Sequence, residues 1–243
     1  MIERLLQLQR DGGRAVVLTV VEGDDLGSKL LVVEGGETLG DGPPELVAHA
    51  AELIRGARNR TLELEGRTVF AEVYGPPPRL FVYGAVDTAE ALAAGAKLLG
   101  WGTLVADARG KFATRERIPS ADELIVAWPE ETFAQVRPDH ATAIVVLTHD
   151  DKFDLPALEL ALATDAFYVG LIGGRRNQER KRQRLREAGV DEEAIARIAG
   201  PCGLDVGADS VPETALSILA EALAARNGRA GGSLRVRAGR IHA

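Results

Sequence analysis

Leu80-Phe81-Val82-Tyr83-Gly84-Ala85-Val86-Asp87-Thr88-Ala89 is the stretch on which the fold turns. Four apolar residues read as a strand buried on both faces, Gly84 breaks it, and Ala89, Leu92, Ala93, Ala96 and Leu99 follow at helical spacing. Strand, glycine turn and helix in that order predict the opening unit of a dinucleotide-type fold, where backbone amides and a helix N-terminus approach a pyrophosphate. Gly84 and Ala85 fill the first positions of that turn, and Ala89 suits its last, close-packed one. The middle glycine is Val86, whose branched side chain would occupy space the phosphates need. Asp87 adds a carboxylate where an anion should sit, so ordinary NAD(P) binding is expected to be impaired. Asp107 follows Gly84 by 23 residues, near the spacing of the acid that holds a ribose hydroxyl. Two readings stand here: a surviving ligand site, or a tight turn at Gly84 with Asp107 capping a strand.

Working outward, Thr103 to Ala106, Glu123 to Ala127, Ile144 to Leu147 and Tyr168 to Ile172 are further short apolar runs of the kind found in parallel sheets. Helical spacing lies between them, at Leu158 and Leu162, and after them, at Leu216, Leu219, Ala220 and Leu223 within about Pro212 to Ala225. The predicted fold is α/β, a Rossmann-like parallel-sheet domain over 79–226. A smaller α+β domain over 1–75 precedes it. The boundary falls at Gly75-Pro76-Pro77-Pro78, where three successive residues lack a backbone donor. In the smaller domain, Ala15 to Val21, Lys29 to Val33, Thr61 to Leu64 and Arg67 to Tyr74 read as strands, and Pro44 to Ala57 as a helix. Residues 227–243, Gly-rich and then basic, are expected to form a flexible tail.

Two later segments are candidate ligand contacts. Thr148-His149-Asp150 follows the run Ile144 to Leu147, at the carboxyl edge where open parallel sheets bind ligands. Thr148 could contact phosphate and His149 could donate or accept a hydrogen bond, or both could simply satisfy loop backbone. Gly170-Leu171-Ile172-Gly173-Gly174-Arg175-Arg176 leaves a strand through two glycines and enters a helix. Free amides, a helix dipole and two guanidinium groups make Gly173, Gly174, Arg175 and Arg176 an anion site. Further along that helix, Arg180, Lys181, Arg182, Arg184 and Arg186 read as a solvated face. Cys202, the one cysteine, reads first as a small packing residue, with sulfur carriage or soft-metal ligation as the sharper alternative.

Composition narrows the function. The 243 residues are 46% hydrophobic, enough for a core without staples, and the net charge of −7 argues against nucleic acid. A single cysteine excludes an internal disulfide and a Cys-rich zinc site. No uncharged apolar run reaches membrane-spanning length, and the charged, amphipathic Met1 to Arg10 is unlike a signal peptide, so a cytoplasmic protein is expected. No His-x-x-x-His, Gly-x-Ser-x-Gly or Walker pattern occurs, so neither a catalytic nor a metal-binding residue is predicted.

Several segments together resemble the C-terminal domain of the XdhC/CoxI family, accessory proteins of molybdenum hydroxylases such as xanthine dehydrogenase. They are Leu99-Gly100-Trp101, Val105-Ala106-Asp107-Ala108-Arg109, Phe112-Ala113-Thr114-Arg115-Glu116-Arg117, Ala121-Asp122-Glu123, Thr148-His149, Tyr168-Val169-Gly170, Arg184-Leu185-Arg186-Glu187-Ala188-Gly189, Gly203-Leu204-Asp205-Val206-Gly207-Ala208 and Ala215-Leu216-Ser217-Ile218-Leu219-Ala220-Glu221. The resemblance implies a chaperone more than a catalyst. Such a protein binds the molybdenum cofactor (molybdopterin), holds it while a cysteine desulfurase supplies sulfur, and passes it to a xanthine dehydrogenase-like or CO dehydrogenase-like apoenzyme. It also implies a homodimer. The family's N-terminal Gly-Ser-x-Pro-Arg and Ser-Gly-Gly-Cys stretches are absent, which marks a divergent member. Two other readings remain, an NAD(P)-dependent oxidoreductase and a ligand-free interaction scaffold.

Overall fold

The computed structural model describes Met1–Val236, and its compact units are Met1–Pro76 and Pro77–Arg235. Of the expected tail, residues 227–233 form no helix or strand beyond the turn after the last helix, Leu234–Val236 is a 3-10 turn, and 237–243 lie outside the described residues.

The first unit runs α1 (Ile2–Asp11), β1 (Ala15–Glu22), β2 (Lys29–Val33), β3 (Thr38–Gly40), a 3-10 turn (Pro44–His49), α2 (Ala50–Gly56), β4 (Arg60–Leu64) and β5 (Arg67–Tyr74). Its strands make an antiparallel sheet in the order β3-β2-β1-β5-β4. Strand alternation sends Val16, Leu18 and Val20 toward Leu46, Leu53 and Ile54, while Ala15 and Val17 pack with Leu8 of α1. Helix α1 therefore forms from the charged opening stretch, because one face of it has a sheet to cover. The single helix expected over Pro44 to Ala57 instead starts as a 3-10 segment and becomes α-helical at Ala50.

The second unit runs β6 (Arg79–Tyr83), α3 (Asp87–Leu98), β7 (Gly102–Ala106), β8 (Glu123–Ile125), α4 (Pro129–Val136), β9 (Thr142–Val146), α5 (Asp151–Leu162), β10 (Tyr168–Leu171), α6 (Arg175–Glu187), α7 (Glu192–Ala196), β11 (Ile198–Ala199) and α8 (Val211–Arg226). All six strands are parallel, in the order β11-β10-β9-β6-β7-β8. Counted from β6, this is 6-5-4-1-2-3, the doubly wound order of dinucleotide folds, and it confirms the Rossmann-like α/β class. The order reverses direction between β6 and β9, which opens a crevice at their carboxyl ends. Leu80, Val82, Val105 and Val145 face α3 and α8; Phe81, Tyr83, Ile144 and Val146 face α4, α5 and α6. Burial on both faces accounts for the unbroken apolar runs. The run expected through Ala127 leaves the sheet at Ile125, where the Ala127 carbonyl turns to accept from the Tyr83 hydroxyl at 3.1 Å. Short β3, α4, α7 and β11 carry too little periodicity to be read from the sequence.

A fully buried charge pair lies between α5 and α6. Lys181 is 0% exposed, and its ammonium donates to Asp154, itself buried, which also accepts from the Thr148 hydroxyl. The solvated face expected on α6 is thus broken at Lys181, which shares an inward stripe with Gln178 and Leu185. Removing one partner strands a charge in the interior. Lys181→Met should cost about 3–5 kcal/mol in denaturant unfolding, and Lys181→Met with Asp154→Leu should recover most of that loss.

Candidate functional site

Four loops meet along the carboxyl edge of the parallel sheet. At the end of β6, Gly84 has φ +116, and a Cβ added there would lie 2.9 Å from Thr148 Cγ2 and 3.0 Å from the Thr148 nitrogen. No side chain fits between the β6 and β9 loops, so glycine is required for both conformation and space. Val86 packs half-buried against the apolar cluster under α3. Asp87 is turned outward and pairs with Arg117 at 2.9 Å.

The next loop determines what the Gly84 turn can bind. Asp107 is fully buried, and its Oδ2 accepts from the Ala85 amide at 3.0 Å and from Arg109 Nη2 at 2.8 Å. Its Oδ1 accepts from the Arg109 amide at 2.9 Å and from Arg109 Nε at 2.8 Å. Burial pushes this carboxyl upward, but the Arg109 guanidinium and the two amides outweigh it and hold the pKa below the ordinary 3.8. Both oxygens are filled from within the chain. The carboxylate thus occupies the place where the Ala85 amide would meet a phosphate, and neither lone-pair set faces a ribose.

Beyond the crevice the polar groups divide. Thr148 is buried, with its hydroxyl turned inward to Asp154, away from any incoming phosphate. His149 is exposed and sits in the left-handed region at φ 61, beside Gly173: a Cβ on that glycine, whose φ is +120, would come 4.0 Å from His149 Nδ1. The β9 and β10 loops therefore bring His149 against the start of α6. Helix α6 begins at Gly174 without a side-chain cap and without an acid in its first turn. Arg175 and Arg176 are exposed there and make no ion pair among the described residues, and together with Gly174, Asn177 and Arg180 they line an open cavity of about 680 Å³. By contrast, Asp150 caps α5 and a Ser210–Glu213 capping box closes α8. Helix amides without a side-chain cap, two guanidinium groups without an ion pair among the described residues and an imidazole edge are thus the open donor groups at this end of the sheet.

Other arginines of α6 are committed elsewhere. Arg182 donates to the carbonyls of Ile195 and Ile198, Arg180 and Arg184 pair with Asp151, and Arg186 pairs with Glu179 and Glu192. Cys202 is surrounded by apolar residues beside Glu221, which takes the Tyr168 hydroxyl at 2.5 Å and the Gly203 amide at 2.7 Å. Burial first, then the Glu221 charge, pushes the Cys202 thiol up to about 12. The packing reading fits that environment. Among the described residues no group of three or more His, Cys, Asp or Glu side chains could hold a metal, and no helix is long and apolar enough to cross a membrane.

Sequence reasoning missed an aromatic and cationic cluster on the same edge. The Arg109 guanidinium lies 4.3 Å from the Phe112 ring centroid and 5.4 Å from that of Phe153. Trp128 packs on Phe153 with centroids 5.1 Å apart, and Lys152 stands over both rings at 5.2 and 4.6 Å. These residues come from three separate segments, Arg109 to Phe112, Trp128, and Lys152 with Phe153, so no local pattern joins them in the sequence.

Known proteins are similar to this chain in sequence and in fold. The family model described as the XdhC Rossmann domain matches residues 80–222, more than half of the chain. Over 171 residues the chain is 35% identical to an uncharacterized protein, YqeB, of Escherichia coli (strain K12), covering 68% of this chain and 30% of that protein. It is 28% identical to a probable xanthine dehydrogenase subunit from Bacillus subtilis (strain 168), covering 65% and 46%. With the molybdenum cofactor insertion chaperone PaoD of Escherichia coli (strain K12) it shares 29% identity, covering 63% and 42%. The chain spans less than half the length of these relatives. A crystal structure of a xanthine dehydrogenase from Bacillus halodurans superposes with a TM-score of 0.69 at 22% identity, over 93% of this chain and 66% of that one, which establishes a shared fold.

Two outcomes follow from the carboxyl edge and the thiol. A carboxyl held below its ordinary pKa contributes stability above that ordinary value and loses it as pH falls toward the folded one. The stability gap between the native protein and Asp107→Asn should therefore be full at pH 7 and narrow below about pH 4 in denaturant titrations. Cys202 should resist iodoacetamide at pH 8 in the folded protein and react in denaturant, as read by mass spectrometry.

Proposed function

The chain belongs to the family of the XdhC Rossmann domain, and from that premise we propose that it is an accessory protein in molybdenum cofactor maturation. It binds the cofactor, protects it while a cysteine desulfurase adds sulfur, and delivers it to a molybdenum hydroxylase apoenzyme of the xanthine dehydrogenase or CO dehydrogenase kind. The names of two relatives, a cofactor insertion chaperone and a probable component of a xanthine dehydrogenase, support this reading. So does the open start of α6. A phosphate-bearing pterin fits a donor set of Gly174, Arg175 and Arg176 amides, two guanidinium groups without carboxylate partners, and His149 at the rim. Gly173 matters because its bend aims the turn, and Gly174 because open space lies where its Cβ would be.

In this role the residues bind and orient; no bond need be made or broken by a side chain. When bound, the cofactor brings its own redox-active metal centre, and this chain contributes phosphate neutralisation at Arg175 and Arg176 and a hydrogen bond from His149. Gly84, Ala85, Asp107 and Thr148 act behind that surface, as the turn, clasp and anchor that keep the edge in place. A nicotinamide enzyme is less well supported, since the acid that would receive a ribose hydroxyl is already filled by Ala85 and Arg109. The homodimer belongs to the proposal too, and sedimentation should give about twice the 25.9 kDa chain mass.

Protein co-expressed with the cofactor's biosynthetic enzymes should retain molybdopterin, measured as oxidised-pterin fluorescence. Arg175→Ala with Arg176→Ala should lower retention by about tenfold or more, the scale of two charge-assisted contacts. A wild-type protein that carries no pterin and forms no complex with an apo-hydroxylase overturns the reading.

A further inference from the structure

We propose that Trp128 and Lys152 form a shelf that stacks the planar fused-ring heterocycle of a phosphate-bearing ligand, of the pterin or guanine type. The inference rests on the reading of Gly173 to Arg176 as the phosphate end. It adds where the ring lies.

Trp128 is 46% exposed although it sits in the well-packed carboxyl edge, immediately before α4. Its position is rigid. Pro129 follows it at the first helical residue, and Phe153, only 3% exposed, backs the indole with a 50° tilt. A held, half-exposed indole loses little freedom on stacking, which is why such rings serve as contact surfaces.

The charge beside it is also unusual. Lys152 makes no ion pair among the described residues, although two aspartates precede it. Asp151 is turned to Arg180 and Arg184, and Asp150 Oδ1 takes the Lys152 backbone amide. The ammonium is left over the Trp128 and Phe153 rings with no carboxylate partner. Further along, Arg109, Lys111 and Arg117 stand 4.3, 5.0 and 5.0 Å from the Phe112 centroid. Arg109 and Arg117 are already paired with Asp107 and Asp87, which leaves Lys152 and Lys111 as the open cations beside the rings and suits a ligand that is flat, electron-rich at its edges and negative overall.

The two ends are linked through the start of α5: Asp151 holds Arg180, which lines the cavity with Arg175 and Arg176, and Lys152 lies against Trp128. Asp151 and Lys152 are consecutive, and they face opposite ways: Asp151 to α6, Lys152 to Trp128. The first turn of α5 is thus the spacer between the arginine turn and the shelf.

The chain has two tryptophans, and Trp101 is buried at 3%, so Trp101→Phe leaves Trp128 as the reporter. Guanosine 5′-monophosphate, which has ring and phosphate, should quench that emission saturably, and ribose 5-phosphate should bind without quenching. In the full chain, Trp128→Ala, read by titration calorimetry, should weaken the guanosine compound about tenfold, as expected for one lost stacking partner, and leave ribose 5-phosphate within about twofold. Trp128→Phe should restore most of the loss. Equal weakening of both compounds, no effect of Trp128→Ala, or no saturable binding of either overturns the shelf. Failure of the phosphate reading shows separately, as ribose 5-phosphate binding that Arg175→Ala with Arg176→Ala leaves unchanged.

Discussion

A carboxylate removed from water persists as an anion only when donors replace the solvent it has lost, and Asp107 has four. Those contacts join the β6 turn, the end of β7 and the Arg109 side chain, which in turn lies against Phe112 and Phe153. The glycine turn of this fold exists to present amides to an anion. Here one of those amides is met by an anion that belongs to the chain. The crevice at β6 becomes a structural joint, and the exposed cations and helix amides are displaced toward β9, β10 and the α4–α5 rim.

Gly84 tightens the same joint from the other side. Its contact with the Thr148 backbone ties the β6 loop to the β9 loop, and Thr148 is fastened below to Asp154 and Lys181. Residues that read from sequence as ligand contacts thus form a continuous line of support. His149 stands at its exposed end, in a backbone conformation that a non-glycine residue adopts at a cost of about 1–2 kcal/mol. Such a conformation survives because the residues on both sides of it are over-determined.

The fold class was legible because strands buried on both faces leave an apolar run that solvent-facing strands do not. Thr142–Val146 is buried at every position, and the helices between such runs keep clear 3.6 spacing. The short β3, α4, α7 and β11 were illegible, since they carry too few turns or alternations to show a period. The site was partly legible, for a different reason. Glycines at strand ends mark turns locally, so Gly84, Gly173 and Gly174 stood out. Burial depends on distant residues, so the inward course of Thr148 and Lys181 did not. Lys181 looked like one more charge in Arg180-Lys181-Arg182, yet its spacing from Gln178 and Leu185 already placed it on the packed stripe. Trp128, Phe153 and Arg109 come together through the sheet order alone.

That sheet order also governs how the domain can be assembled. Its first strand lies in the middle, between β7 and β9, and one face is closed by α8, whose Ala215, Ile218, Leu219 and Ala222 complete the cluster begun by Leu80 and Val82. Helix α3 and its main neighbour α8 are separated by more than a hundred residues of chain. Closing so long a loop carries an entropic cost that local contacts cannot offset beforehand, and domains of this kind fold slowly. On the ribosome, the side of α3 that packs on α8 stays uncovered until the α8 segment emerges. A protein whose own surface is completed so late spends its synthesis in need of shelter itself.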